Sequence, residues 1–395
     1  MSDTTPPLTA ASPSLARPVL DAVLPELHYG RLVCVLPGGQ RIERRGRLPG
    51  PLGVLEVHDA RLPLALLLQG ADGLDESYLA GAWSSPNLTA LLTLLGQNFA
   101  SQTPSTLLAL PSRLLNRFRH AANTNTRSGA RRNIMAHYDL GNQFYAAWLD
   151  ETMLYSSAFY ASEADTLEAA QARRLEMIAA WLDAPPAASV LEIGCGWGAL
   201  ARYLGEAGAH VTGLTLSPAQ LGHARCIAGS NVTLALRDYR DETGVYDRIV
   251  SIEMMEAVGE AYWPTYFDAL RARLKPDGKV VLQVITIDAG RYAAYRRAPD
   301  FIQRHIFPGG MLPTKAEIAL QARRAGLTPA RVLHFGASYA RTLAEWRTRF
   351  LAAWPRLAEM GFDARFKRLW TYYLAYCEAG FTTGAIDVGL YELKG

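Results

Sequence analysis

Cysteine is scarce in this chain. Only Cys34, Cys195, Cys226 and Cys377 occur among 395 residues, and their spacing fits neither a metal site nor a disulfide framework. A reduced cytoplasmic setting follows, with no metal expected. Long apolar runs are also missing, since no stretch of about 20 apolar residues is available to span a bilayer. The opening MSDTTPPLTAASPSLARP is polar, rich in Pro and Ser and without an apolar signal core, so residues 1–20 are expected to form a disordered tail inside the cell. No internal repeat or low-complexity block is present. One sign of charge has a gap of its own: from Ser77 to Tyr138 there is no Asp or Glu. Arg113, Arg117, Arg119, Arg127, Arg131 and Arg132 lie inside that gap, although the net charge of the chain is only +3.

What is present is a chain 49% hydrophobic and 19% charged, able to bury a large core and long enough for two domains. Residues 21–100 are expected to be a small N-terminal α+β domain. In it LHYGRLVCVLPGG reads as a strand and turn, GVLEVHDARLPLALLLQG as a strand leading into a helix, and DESYLAGAW and LTALLTLL as helical. Residues 101–133 shift to Ser, Thr, Asn and Arg and read as a basic linker around a short helix at 111–121. From 134 to 395 strands alternate with helices: VLEIG, HVTGLTL, VTLAL, YDRIVSI, GKVVLQVITI, LTPARVLHFG and AIDVGLYEL. Alternation of this kind predicts an α/β, Rossmann-like, doubly wound and mainly parallel seven-stranded sheet, with ligands at the carboxyl ends of the strands. The last two strands are expected as an antiparallel edge, and Lys275 to Gly278 as a turn entering the fifth strand.

VLEIGCGWGAL, Val190 to Leu200, carries the most chemistry. An apolar strand ends in Glu192, then Gly194, Gly196 and Gly198 alternate before a helical run. Glycine lets the backbone approach a ligand closely, and the following helix presents free N–H groups. A dinucleotide site would want GxGxxG and an acid about 20 residues on. Here the second strand ends in Thr215, Leu216 and Ser217, with no carboxylate at its tip. That points away from NAD and toward S-adenosylmethionine (SAM).

HYDLGNQFYAAWLD, MLYSSAFY, EIGCGWG, LTLSPAQ, MMEAVG, HIFPGGMLP and YYLAYCEAGF together resemble the cyclopropane-fatty-acyl-phospholipid synthases and mycolic acid methyltransferases. The resemblance runs from about 20 to 395 and includes the N-terminal domain of the phospholipid-acting members. It implies a SAM-dependent C-methyltransferase with a class I methyltransferase fold. By position, it implies that Tyr155 and Ser156 contact the SAM carboxylate, that Glu192, Gly194 and Gly196 form the loop under its methionine part, that Leu216, Ser217 and Gln220 reach the ribose, and that Asp238 and Tyr239 line the adenine. A side-chain amide such as Gln220 can both donate to and accept from ribose hydroxyls.

The chemistry implied is attack by the π bond of an unsaturated acyl chain on the sulfonium methyl, followed by proton loss from a carbocation. Loss from the new methyl closes a cyclopropane; a hydride shift and loss elsewhere leave a methylene or methyl-branched chain. Such a site needs an apolar channel, aromatic faces worth roughly 0.5–2 kcal/mol each to a desolvated cation, and a weak base. Tyr262, Trp263, Tyr266, Tyr292, Tyr295, Phe301 and Phe307 are candidates for the faces, though each suits plain core packing as well. The base implied by the resemblance is a bound bicarbonate, held by Glu256, Tyr339, Ile285 and backbone beside Ser157. Two positions depart from the pattern: Gln283 stands where histidine is usual, and Ser157 where cysteine is usual. Gln283 offers N–H donors but does not titrate near neutral pH. Glu256 is also compatible with a buried structural acid capping the next helix.

Expected partners are an unsaturated phospholipid and, through the basic segment, the inner face of a membrane, where each Arg is worth about 1 kcal/mol. A solvated linker is the plainer reading of that segment. No RNA-binding module accompanies it, so nucleic acid is not expected. The resemblance is compatible with a homodimer. Two other functions stay open, methylation of a small amine and an idle lipid-binding relative that has lost its base at Gln283.

Overall fold

The computed structural model describes residues 24, 26–99 and 140–395. The expected tail and the whole basic linker, with all six of its arginines, lie outside the described residues. The chain divides into two compact units, Met1–Leu115 with Phe362–Ala379, and Asn116–Gly361 with Gly380–Gly395.

The first unit holds a four-stranded sheet in the order β2-β1-β3-β4. β1 (Tyr29–Val35) runs parallel to β3 (Leu48–Val57) and antiparallel to β2 (Arg41–Arg45), while β4 (Trp83–Ser84) closes the far edge. Leu32 and Cys34 of β1 point inward at the two-residue period of a half-buried strand. Helices α1 (Leu62–Gln69), α2 (Ala71–Leu79) and α3 (Leu88–Phe99) complete this part. Two strands differ from expectation. RIERR carries a single buried apolar residue, Ile42, too weak a pattern to read, and Trp83 was grouped with the preceding helix. A further correction concerns residues 362–379, which were assigned to the second domain but belong to the first unit. Their apolar face explains it: Trp370, Tyr372, Tyr373 and Leu374 are buried, Tyr372 lies 5.2 Å from the Tyr78 ring, and Arg368 donates to the Leu79 carbonyl.

The second unit is built on the expected seven-stranded sheet, in the order β10-β11-β9-β8-β5-β6-β7. β5 (Ser189–Ile193), β6 (His210–Thr215), β7 (Val232–Leu236), β8 (Tyr246–Ile252) and β9 (Leu274–Ile287) are parallel. β11 (Ile386–Lys394) is antiparallel to both β9 and β10 (Thr328–His334). The last two strands therefore pair antiparallel as expected, but only β11 is reversed, and it is inserted inside the edge. β5 is buried along nearly its whole length, as parallel strands covered on both faces are. Lys275 to Gly278 folds as a bulge within β9: the register with β8 slips between Leu274 and Lys279, and Asp277 takes φ 59°. Strand order reverses at β5 and β8. Ligands of doubly wound sheets bind at the carboxyl ends beside such a reversal, so the segments leaving β5 and β8 are where a site belongs.

Candidate active site

The segment leaving β5 is the glycine loop. Gly194 and Cys195 both donate their N–H groups to the Leu214 carbonyl at 2.9 Å, which pins the loop to β6. Gly194 has φ 84°, and a Cβ there would meet Met254 at 2.6 Å. Gly196, at φ 52°, has nothing within 4 Å of where its Cβ would be. Helix α6 (Ala199–Glu206) follows directly after Gly198 with no side chain capping its first N–H groups. A cradle without side chains at a helix start, beside a strand reversal, fits the SAM expected from the sequence.

Around it the expected cofactor residues fall into two groups. Leu216 and Ser217 follow β6; Ser217 caps helix α7 (Pro218–Ile227) by accepting from the Gln220 N–H, and Thr215 donates its hydroxyl to the Gln220 side-chain oxygen at 2.9 Å. What Gln220 can offer a ribose is thereby its amide N–H pair. Tyr155 sits among the rings of Tyr145, Trp148 and Trp346, and the Ser156 carbonyl accepts from Gln171 at 3.0 Å. Asp238 and Tyr239 are more tightly engaged than expected. Arg240 holds the Asp238 carboxylate through two hydrogen bonds of 2.8 and 2.6 Å, and its guanidinium lies 5.6 Å from the centre of the Tyr239 ring. Tyr239 is 8% exposed and meets Tyr266 edge-on, a core position more than an open stacking face. Trp263, Tyr266 and Phe301 are likewise core residues.

The segment leaving β8 brings the other expected residues together around one that sequence reasoning missed. Glu253 accepts three hydrogen bonds: from the Ser157 N–H at 3.0 Å and the Gln283 side-chain amide at 2.6 Å on Oε1, and from the Tyr339 hydroxyl at 2.7 Å on Oε2. Gln283 is fully buried; its amide nitrogen must face the carboxylate, because the opposite orientation would set oxygen against oxygen. Pairing of Ile252 with Gln283 across β8 and β9, and the Glu253 N–H donated to the Gln283 carbonyl at 2.7 Å, fix the geometry. Tyr339 is stacked 4.5 Å from Phe381. Glu253 itself has φ 53°, a left-handed conformation unusual for a residue with a side chain.

Glu256 and Ile285 also meet: the Ile285 N–H donates to Glu256 Oε1, while Oε2 is buried without a partner among the described residues. Burial first, and the Glu253 charge second, push the Glu256 carboxyl up to about 8. Burial alone is the leading cause of the same value at Glu192. Glu253 is raised by burial and pulled back by its three donors. The countercharge is Arg174 on helix α5 (Leu167–Leu182), fully buried, donating to Gln171 at 3.1 Å and facing Glu253, Asp150 and Glu192. Arg174 gave no signal in sequence, since it reads as one more charge on a helix. Glu253 had a usable one, an acid at the carboxyl end of a parallel strand beside the reversal.

Comparison with known proteins gives the family and the fold. A family model described as mycolic acid cyclopropane synthetase matches residues 125–390. A tuberculostearic acid methyltransferase of Mycobacterium tuberculosis is 42% identical over 332 residues, 81% of this chain and 78% of that protein. A cyclopropane-fatty-acyl-phospholipid synthase of Escherichia coli is 38% identical over 338 residues, covering 83% and 84%. Among solved structures, a mycolic acid cyclopropane synthase complexed with SAH and CTAB superposes with a TM-score of 0.63 at 29% identity, over 67% of this chain and 98% of that one.

Proposed function

The chain belongs to the mycolic acid cyclopropane synthetase family, and from that membership we propose that it moves the SAM methyl group onto the double bond of an unsaturated phospholipid acyl chain, giving a cyclopropane. It is a SAM-dependent C-methyltransferase. The observation that carries the acyl reading is the buried set of Ser157, Gln283 and Tyr339 donors, gathered around a carboxylate at the tip of β8, next to the strand that ends in the glycine loop. An olefin that has accepted a methyl cation must lose a proton to a weak base in a dry place, and this cluster supplies both.

Bound SAM supplies an electrophilic methyl on a sulfonium. The glycine loop, the first turn of α6 and the Gln220 amide hold and orient it, with Tyr155 and Ser156 on its carboxylate side and Asp238 and Tyr239 toward the adenine. Tyr262, Tyr292 and Tyr295 are partly buried against the core; the Arg240 guanidinium lies 5.8 Å from the Tyr262 ring and that of Arg296 5.6 Å from the Tyr292 ring, so a substrate cation would compete with a guanidinium at both.

A methylene or methyl-branched product is the second reading, favoured by the similarity to a tuberculostearic acid methyltransferase and by Gln283 in place of histidine. Incubation with SAM and oleoyl or vaccenoyl phospholipid, followed by mass spectrometry of the released acyl chains, tests both. We expect a gain of one CH2 unit with loss of the double bond. A gain with a double bond retained supports the branched product, and no gain rejects acyl methylation in favour of a small-amine substrate.

Peripheral attachment to the inner face of a membrane is part of the proposal. Support comes from the arginines of 113–132 and from Leu64, Leu67 and Leu68, exposed together on α1. No helix among the described residues is long and apolar enough to cross a membrane.

A further inference from the structure

We propose that the Glu253 carboxylate is the resident base of this site, occupying the place where a bound bicarbonate was expected, so that the enzyme needs no exogenous anion. This rests on the acyl-methylating reading above. The resemblance implied that a free anion would be held by Tyr339, the residue at position 283, backbone beside Ser157, and Glu256 with Ile285. In this chain the Ser157, Gln283 and Tyr339 donors all end on Glu253. The Ile285 N–H ends on Glu256.

What remains is the wrong chemistry for an anion. Among the described residues the unpartnered atoms on Gln283 and Glu256 are Gln283 Oε1 and Glu256 Oε2, both oxygens, and the unpartnered buried donor nearby, Arg174 Nη2, belongs to the guanidinium that already faces Glu253, Asp150 and Glu192. A bicarbonate would have to sit against those acceptors and beside an existing negative charge, with the Ser157, Gln283, Tyr339 and Ile285 donors already engaged. The residues present do not fit that group.

Backbone conformation gives an independent reason. At φ 53° a glycine would be unstrained, yet the chain places a glutamate there. Residues held in such conformations concentrate at functional sites, where the surrounding structure over-determines them. The location suits a base as well: the next residue, Met254, is the one a Cβ on Gly194 would strike, so Glu253 adjoins the wall of the cofactor loop. Some of its surface stays exposed, which gives an acquired proton a way out.

Gln283 then has an explanation. A permanent carboxylate wants a donor that keeps its hydrogen at every pH, which an amide does and an imidazole does not.

The step balances without a further reactant. As the olefin's π pair forms a bond to the methyl carbon, the C–S pair leaves with sulfur and the neighbouring carbon becomes cationic. Glu253 takes a proton from the new methyl, and the C–H pair closes the ring; proton loss from another carbon after a hydride shift gives the alkene instead. The protonated Glu253 later releases its proton to solvent.

Three measurements test this in the full-length protein with SAM and unsaturated phospholipid, each in carbonate-free buffer and with bicarbonate added. Wild-type turnover should be the same in both. Glu253→Gln, similar in shape, should lose about 100-fold or more in turnover while SAM affinity and melting temperature stay near wild type. Glu253→Gly should be as impaired in carbonate-free buffer, and regain at least about tenfold with bicarbonate or formate, which can enter the vacated site. A wild type that works only with bicarbonate overturns the assignment, as does a Glu253→Gln variant that keeps its turnover or a Glu253→Gly variant that no carboxylate restores. Those outcomes differ from failure of the functional reading itself, in which wild type methylates no acyl chain in either buffer.

Discussion

At pH 7 the Glu256 carboxyl is mostly protonated, because burial and the neighbouring Glu253 charge raise it to about 8. The sign of the linkage follows. Between about pH 4.5 and 8 the unfolded chain has lost this proton and the folded one keeps it, so stability falls as pH rises, by up to about 1.4 kcal/mol per pH unit for each such group. Glu192 contributes with the same sign over the same window. Asp247, held down at about 2 mainly by Ser189, acts in the opposite sense and only below about pH 4. Melting temperature measured from pH 5 to 8.5 should therefore decline, and Glu256→Gln should flatten part of that slope. A variant with the wild-type slope would mean that Glu256 does not carry the proton. Neutral Glu256 removes one of the two negative charges that this buried pair would otherwise carry. Most residues of this cluster could be named from the sequence through motifs that travel together, namely Ser157, Glu256, Gln283, Ile285 and Tyr339. Arg174 could not, and Glu253 showed only its place at the end of a parallel strand, since what it does lies in long-range contacts: it joins segments 96, 30 and 86 residues away.

Among the elements, the glycine loop separates folding from binding. Gly194 and Gly196 both have positive φ, but only Gly194 would drive a Cβ into a neighbour, Met254. Gly194→Ala should cost about 1–2 kcal/mol from the left-handed backbone plus the displacement of Met254, seen as a lower melting temperature. Gly196→Ala puts its methyl into open space, so its stability should change less while SAM affinity by calorimetry falls about tenfold or more, close to 1.4 kcal/mol. Equal SAM affinity in Gly196→Ala and wild type would remove the loop from the cofactor site. The strands β5, β8 and β9 were legible because buried parallel strands write continuous apolar runs, and β7, an edge strand with no fully buried residue, by its short apolar run alone. β2 was not, because Arg and Glu cover its open face and Ile42 alone turns inward. The insertion of β11 inside the edge was equally hidden, since strand order is a choice among partners; the contrast between exposed β10 and buried β11 was the one sign of which is outermost.

On the scale of the whole molecule, the proposed phospholipid substrate is one that the chain would have to meet in a bilayer. Leu64, Leu67 and Leu68 are 53%, 39% and 39% exposed and fall at i, i+3 and i+4 on α1, so one helix face turns three leucines to solvent. Each leucine fully buried in an apolar medium is worth about 1.5–3 kcal/mol, and each arginine near an anionic surface about 1 kcal/mol. Neither contribution alone holds a protein firmly, but the two together suit reversible attachment. The arginines act through charge and the leucines through insertion, so the two separate experimentally. Full-length protein should co-sediment with vesicles containing anionic lipid and much less with zwitterionic ones, and salt should weaken the first. Leu64→Ser, Leu67→Ser and Leu68→Ser combined should lower recovery on both kinds of vesicle and reduce turnover on vesicle substrate, leaving turnover on detergent-dispersed phospholipid near wild type. Equal recovery of wild type with anionic and neutral vesicles would sink the electrostatic half of this attachment, and unchanged recovery of the triple variant the apolar half.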